Sequence, residues 1–346
     1  MILKNGKRII NGGEPYIVAE LNSSHNGKKD VAKEMIDAAK DCGCDAVKFQ
    51  SWSAESLYCR DYYDQNPISK RMVSRFSLKP EDLLELSGYC KSIGIDFSST
   101  PYSNEEADFL ADQCEAAFIK IASMDINNLP YLRYIAEKNV PIVLSTGMAT
   151  IEEIEAAVTE IEDRGNHNIC ILHCVSLYPV EEQLVNLHNM VMLKEKFPEY
   201  AIGYSDHTTG SVVANAAVGL GAALIEKHFT LDNKRIGWDN QMATEPENMR
   251  ELVAGCHKVY RSLGEYERKL TLDELEQRRK MRRSIVAAKN MMKGHVIKEE
   301  DLTAKRPGEG ISVNEYGNIV GRTLIHDIQK DQLILAEYLG ERKLND

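Results

Sequence analysis

Residues 16–50 read YIVAELNSSHNGKKDVAKEMIDAAKDCGCDAVKFQ. A short β-branched run from Tyr16 to Leu21 gives way to KKDVAKEMIDAAKDCG, with apolar residues three and four apart and a closing glycine; a second short apolar run starts at Ala46. Short continuous apolar runs are what a strand covered on both faces requires, and the three-to-four spacing closed by Gly marks an amphipathic helix. The stretch therefore predicts strand, helix, strand. The alternation continues through DFSSTPY from Asp96, FIKIAS from Phe118, PIVLSTG from Pro141, ICILHCVS from Ile169, AIGYSDH from Ala201 and LIEKHFT from Leu224. Between them PEDLLELSGYCKSIG and TIEEIEAAVTEIEDRG carry the helical pattern, and Ser103 with Glu106 and Thr150 with Glu153 have capping-box spacing. Eight repeats over about 250 residues are the size and count of a (β/α)8 TIM barrel, an α/β fold. A doubly wound open sheet is the alternative, but no GxGxxG follows the first strand.

Two stretches fall outside this rhythm. SAESLYCRDYYDQNPISKRMVSRF, residues 53–76, is far longer than an ordinary strand-to-helix loop. It lies on the face where barrel enzymes keep their sites, although its tyrosines and Arg60, Arg71 and Arg75 read equally well as a solvated lid surface. The barrel pattern ends near Gly264, so residues 1–264 are expected to be the catalytic domain. EYERKLTLDELEQRRKMRR, residues 265–283, has helical spacing but almost no apolar face and is expected to be a linker. From Ser284 short strands and turns predict a small, mainly β domain over residues 284–346, too small for a deep cleft of its own.

Of the 346 residues, 43% are hydrophobic and 27% charged, which suits an ordinary globular core. Net charge is −11 with no basic stripe, so nucleic acid is not an expected partner. The N-terminal MILKNGKRII lacks a signal peptide's apolar core, and no run of ~18 apolar residues occurs. A cytoplasmic protein with no membrane partner is expected. The 8 cysteines are too scattered for a disulfide framework, and neither Cys42 with Cys44 nor Cys170 with Cys174 has a second half at zinc-site spacing.

Side chains two positions apart on a barrel strand point the same way, and the C-terminal strand ends build the site. Here they offer Glu20, Lys48 and Gln50, Thr100, Lys120 and Ser123, Ser145, Ser176, Ser205 and His207, Glu226 and His228. His207 and His228 end adjacent strands, where two imidazoles can hold a divalent ion with positions left open; a strand-end histidine can equally be a hydrogen-bonding residue. His25 and His173 fit orienting or core roles. Lys48 and Lys120 are inward cations that need a counter-charge. A phosphorylated, carboxylated ligand would supply one, with the neighbouring hydroxyls and the Gln50 amide as neutral donors; internal pairing with Asp or Glu is the alternative.

Taken together, VAELNSSHNG, AVKFQSW, SSTPYS, FIKIAS, LSTGM, LHCVSLYP, IGYSDHT and EKHFT resemble, in order, the sialic acid (N-acetylneuraminate) synthase family. Its members condense phosphoenolpyruvate with an N-acylated hexosamine to make nine-carbon ulosonic acids. MRRSIVAAK and KRPGEG resemble the C-terminal antifreeze-like (SAF) domain that the family appends to its barrel. The resemblance implies His207 and His228 as ligands of Mn2+ or Mg2+, and Lys48, Gln50, Thr100, Lys120, Ser123, Ser145 and Ser205 as phosphoenolpyruvate contacts. It implies Glu20, Tyr178 and Asp239 near the aldose, and a domain-swapped homodimer in which Arg306 reaches the partner's pocket. Three positions depart from the family: Asp125 replaces a usual Glu, Ser176 a frequent Asn, and Trp238-Asp239-Asn240 stands where GxDH is common. The aldose is expected to be N-acetylmannosamine or a deoxy or diacetamido relative, and because all three departures fall where the family handles the sugar, a 6-deoxy or 2,4-diacetamido relative is expected to be preferred over plain N-acetylmannosamine.

The implied chemistry is attack of carbon three of phosphoenolpyruvate on an aldehyde polarised by the ion, with water added at carbon two and phosphate lost by carbon–oxygen cleavage. Glu20 or Asp239 would orient or deprotonate the water, while Lys48 and Lys120 hold the anionic groups. Three alternatives stay open: a Schiff-base (class I) aldolase on Lys120, a phospho-sugar ulosonate synthase on the same barrel, and a non-catalytic carbohydrate-binding protein.

Overall fold

Eight parallel strands close on themselves in a computed structural model that describes residues 1–342. They are β1 (Tyr16–Glu20), β2 (Ala46–Gln50), β3 (Asp96–Thr100), β4 (Ile119–Ile121), β5 (Ile142–Ser145), β6 (Ile169–Cys174), β7 (Ala201–Asp206) and β8 (Leu224–His228). Each pairs with its sequence neighbour, and β1 closes on β8 with Tyr16 opposite Leu224 and Glu20 opposite His228. Alternation divides the strands between two cores. Ile17, Ala19, Val47, Ile171 and Ile225 face outward against the helices, while Tyr16, Val18, Phe118, Val143, Leu172 and Leu224 fill the barrel's lower interior.

Leu3 and Ile9, each next to a residue of the small Ile2–Arg8 bridge, join the inner cluster. Packing there is tight enough to require glycine at one position: a Cβ on Gly203 would sit 2.6 Å from Leu172 Cδ2 and 2.6 Å from the Leu224 carbonyl oxygen. Apolar residues thus occupy the lower barrel, and the upper layer is left to Glu20, Lys48, Lys120 and Glu226, all buried.

Helix α1 (Lys29–Asp41) packs Ala32, Met35, Ile36 and Ala39 inward at the spacing read from the sequence. The Thr150–Glu153 capping box is complete. At Ser103 only half of the expected box forms: its hydroxyl accepts from Glu106 N, but the Glu106 carboxylate accepts instead from Tyr102 N and Ser56 Oγ.

The long stretch after β2 is not an open loop. It folds into α2 (Ala54–Leu57), α3 (Arg60–Gln65) and α4 (Pro67–Phe76) before α5 (Pro80–Ile93). Ser53 and Ser56 form a capping box for α2, Pro67 starts α4, and Ala54, Tyr63 and Val73 bury one another in a cluster of their own. Each helix is too short for its periodicity to stand out from the sequence.

The chain divides into two compact units, Met1–Gly264 and Glu265–Asp346. In the second, residues 265–283 contain an entirely exposed helix, Leu272–Met281, capped by Thr271 and Glu274. Then β9 (Ser284–Ala287) pairs antiparallel with β10 (Leu302–Lys305), and β11 (Arg322–Leu324) with β12 (Leu339–Arg342). Ile285, Ile297, Leu302, Leu324, Ile328 and Ile334 make its core. Among the described residues no helix is long and apolar enough to cross a membrane. All eight cysteines are free, and all but Cys59 are buried.

Candidate active site

The strand ends enclose a cavity of about 480 Å³. Its lining includes Glu20, Lys48, Gln50, Thr100, Lys120, Ser123, Ser145, Ser176, Tyr178, Ser205, His207, His228 and Asp239, so residues chosen on sequence from eight strands and their loops converge on one space. Asp125 does not line it. It sits on the single turn Ser123–Asp125, with Oδ2 buried and unpartnered and the carboxyl pushed above its usual range by burial. Arg306 lies exposed in the second unit.

The two lysines find their counter-charges inside the barrel, which is the alternative the sequence left open. Lys48 Nζ pairs closely with Glu20 and lies 3.4 Å from Glu226; Lys120 Nζ is 3.1 Å from Glu226. Ser205 Oγ donates to Glu226 at 2.9 Å, Gln50 Nε2 to Glu20 at 3.0 Å, and Lys48 to Thr100 Oγ1 at 3.3 Å. Two cations and two carboxylates form a neutral buried chain, in an environment where an unpaired charge is prohibitive.

The chain is unevenly balanced. Burial raises Glu20 above its usual range, only partly offset by Lys48. Burial also acts to raise Glu226, but Lys120 and Lys48 together override it and hold that carboxyl low. Burial depresses Lys120 because Glu226 offsets it incompletely, whereas Glu20 and Glu226 overcome the same effect at Lys48 and raise it.

Beside this floor stand the histidines, ring centroids 5.4 Å apart. His207 Nδ1 donates to the Val175 carbonyl at 2.7 Å, leaving its Nε2 lone pair free; His228 Nδ1 is buried with no partner. Burial depresses both imidazoles below their ordinary value, so they stay neutral. Neutral rings with free lone pairs, one oriented by a backbone carbonyl, fit a divalent ion. Among the described residues no third His, Cys, Asp or Glu completes a cluster, so the pair would leave most coordination positions open. Tyr178, half-exposed, lays its ring 4.3 Å from His207. His173 bonds the Val185 carbonyl and His25 accepts from Gly27 N, both structural roles.

The rim is apolar. Trp52, Leu57, Tyr58, Met124, Met148 and Trp238 line it. Trp238 stands edge-on to Trp52 at 5.1 Å and to Phe76 at 6.3 Å, so the loop after β8 leans on the insertion helices. Asp239 accepts from Asn22 Nδ2 at 2.8 Å, and burial raises its carboxyl. Asn240 is not at the sugar end: its side chain is buried, bonding the Asp232 and Arg235 carbonyls and the Thr230 hydroxyl to shape its own loop.

Two features carry more of the site than the sequence suggested. Glu226 was visible at a strand end, but its position between two lysines from other strands depends on barrel closure. Gly147 leaves open the space its neighbours need: a Cβ there would lie 2.2 Å from Ser176 Oγ and 2.8 Å from Ser123 Oγ, both hydroxyls on the cavity wall. Ser145 and Ser176 keep unpartnered hydroxyls there.

A closed parallel barrel with buried acids, lysines and neutral imidazoles gathered at its C-terminal mouth defines an enzyme. The chain belongs to the NeuB family, which it matches over residues 35–268, and it matches the SAF domain over residues 282–339. It is 37% identical over 352 residues to the N,N'-diacetyllegionaminic acid synthase of Legionella pneumophila, covering 96% of this chain and 98% of that one. Among solved structures, the N-acetylneuraminic acid synthetase of Leptospira borgpetersenii in complex with citrate superposes with a TM-score of 0.71 at 32% identity, covering 77% of this chain and 90% of that one. The spore coat polysaccharide biosynthesis protein SpsE of Bacillus subtilis gives 0.67 at 34% identity, covering 98% and 99%.

Proposed function

We propose that the protein is a nonulosonic acid synthase: it condenses phosphoenolpyruvate and water with the open-chain form of an N-acylated hexosamine, giving a nine-carbon ulosonic acid and phosphate. The observation that carries this reading is the buried Glu20–Lys48–Glu226–Lys120 chain in the same cavity as two neutral imidazoles. Cations for a carboxylated phosphate and lone pairs for a divalent ion share one space. Manganese or magnesium held by His207 and His228 would supply Lewis acidity to the sugar's aldehyde oxygen.

The protein's own groups account for the rest. Lys48 and Lys120 turn from their carboxylates to the carboxylate and phosphate of phosphoenolpyruvate, with Gln50, Thr100, Ser123, Ser145 and Ser205 as neutral donors. Glu20 then loses its counter-cation, so a carboxyl already raised by burial gains proton affinity and takes a proton from the water that adds at carbon two. Carbon three bonds to the aldehyde carbon, whose oxygen takes up a proton to become a hydroxyl; the hydroxyl added at carbon two then gives up its proton as the carbon–oxygen bond to phosphate breaks, leaving the keto group and inorganic phosphate. Asp239, Tyr178 and Ser176 hold the sugar. The depressed lysine, Lys120, is also what a Schiff-base aldolase would use. Borohydride treatment with the ketoacid product is expected to leave the enzyme active and unmodified; a trapped adduct on Lys120 would favour the aldolase.

The sugar is proposed to be a 2,4-diacetamido or 6-deoxy relative of N-acetylmannosamine. Support comes from the Legionella relative's name and from Trp238, whose ring offers an apolar face at the rim. Burying one acetyl methyl there would contribute about 1–2 kcal/mol, roughly tenfold in selectivity. In a panel of these sugars the diacetamido compound should show the highest kcat/KM, and Trp238→Ala should narrow its lead about tenfold. N-acetylmannosamine ranking first, unmoved by Trp238→Ala, would contradict this.

The tail is proposed to cross to a second subunit of a cytoplasmic homodimer, bringing Arg306 to the partner's pocket. Inactive Arg306→Ala chains mixed with inactive His207→Ala chains should regain part of the activity. Verified heterodimers that stay inactive would show that each tail serves its own barrel.

A further inference from the structure

Behind the two histidines lies a buried charge pair that the chemistry above does not use. Strands β7 and β8 pair Tyr204 with Ile225, Ser205 with Glu226, and Asp206 with Lys227. Paired positions on parallel strands face the same way, and successive positions alternate. Ser205 and Glu226 therefore meet inside the barrel, where the hydroxyl donates to the carboxylate at 2.9 Å. Asp206 and Lys227 meet outside it, 0% and 1% exposed, with Lys227 Nζ 2.8 Å from Asp206 Oδ2. The next residues along the chain from this pair are His207 and His228, which both line the cavity.

The outer pair grips both sides of His207 and the N-terminal side of His228. Asp206 Oδ1 accepts from Thr208 N at 2.8 Å, from Thr208 Oγ1 at 2.8 Å and from Tyr204 OH at 3.1 Å, and Lys227 Nζ also donates to the Thr208 carbonyl. His207 is thus bracketed by two residues locked to each other and to Lys227, whose backbone leads directly into His228. Apolar residues of the same volume would serve folding as well as a buried ion pair does. What the pair supplies in addition is a fixed distance between two strand ends.

We propose that Asp206 and Lys227 are positioning residues that set the separation of His207 and His228, and with it the affinity of the site for a divalent ion. This rests on the reading of the histidines as ion ligands, and it concerns the protein without substrate rather than turnover. The test titrates Mn2+ into the full chain without substrate, reading free Mn2+ by its electron paramagnetic resonance signal. The chains compared are wild type, His207→Ala, Lys227→Arg and the double variant Asp206→Leu/Lys227→Met.

The double variant, checked by far-UV circular dichroism, melting temperature and calorimetric binding of phosphoenolpyruvate, should stay folded and bind Mn2+ about 10- to 100-fold more weakly. Its affinity for phosphoenolpyruvate should stay within about twofold of wild type, a split that general loosening would not produce. Lys227→Arg, which keeps the charge on a longer head, should fall between the two. Double-variant Mn2+ affinity equal to wild type overturns the proposal. If the double variant does not fold, Lys227→Arg decides: clearly weaker Mn2+ binding supports the proposal and unchanged binding overturns it. Wild type and His207→Ala binding Mn2+ equally would overturn the ligand reading itself, an outcome distinct from a failure of the outer pair.

Discussion

Enzyme stripped with a chelator is expected to release no phosphate from phosphoenolpyruvate and sugar, and to recover when manganese or magnesium is returned. The reason lies in the site's donor set. Among the described residues that line the cavity His207 and His228 are the only imidazoles, so no other neutral nitrogen ligand there compensates for their loss. His207→Ala and His228→Ala should each behave like chelation, with kcat/KM down on the order of a thousandfold, because Lewis-acid stabilisation of a developing alkoxide is worth several kcal/mol. Ordinary folding is expected, since His207 makes one side-chain hydrogen bond and His228 Nδ1 makes none. Full activity in chelated enzyme, or in either variant, would remove the ion from the account.

The second large effect falls on Glu226. Among the described residues Lys120 has its ion pair with this carboxylate alone, and both groups are buried. Glu226→Gln leaves Lys120 without a counter-charge, and breaking one side of a buried pair costs about 3–5 kcal/mol. For a barrel of this size that is a fall in melting temperature on the order of 10 °C. Phosphoenolpyruvate should restore more stability to the variant than to wild type, because its anionic groups take the place the carboxylate left. A scan with and without phosphoenolpyruvate measures both effects; a variant that melts with wild type, or gains no more from the ligand, would show that Lys120 is balanced in another way.

The barrel was legible because its information is local. Residues 16–50 carry a strand, a helix and a strand in one reading, and six further strands in the same alternation leave little choice of architecture. What was not legible depends on closure. Glu20 and Glu226 stand on strands that meet only when β8 returns to β1, so the partners of Lys48 and Lys120 could not be assigned from spacing. Short helices escaped for another reason: α2, α3 and α4 hold too few turns for apolar periodicity to show, and their shared cluster around Tyr63 is tertiary.

The site residues show the same division. Strand positions such as Lys48, Gln50, Thr100 and His228 line the cavity because alternation on a strand fixes their direction. Positions past the strand ends obey loop geometry instead. Asp125, on a single helical turn, is not among the lining residues, and Asn240 is consumed by three hydrogen bonds within its own loop. Of the three departures from the family pattern, Ser176 and the Trp238–Asp239 segment remain on the cavity wall.

The central claim is that one cavity joins phosphoenolpyruvate to an amino sugar with cleavage of the carbon–oxygen bond. Its direct test uses phosphoenolpyruvate carrying 18O in the bridging oxygen, with Mn2+ and the diacetamido sugar, followed by mass spectrometry of phosphate and product. The account predicts sugar-dependent phosphate that retains the label, matched mole for mole by a nine-carbon ulosonic acid. Phosphate formed without sugar, label lost from the phosphate, or free pyruvate in place of the ulosonic acid would contradict it.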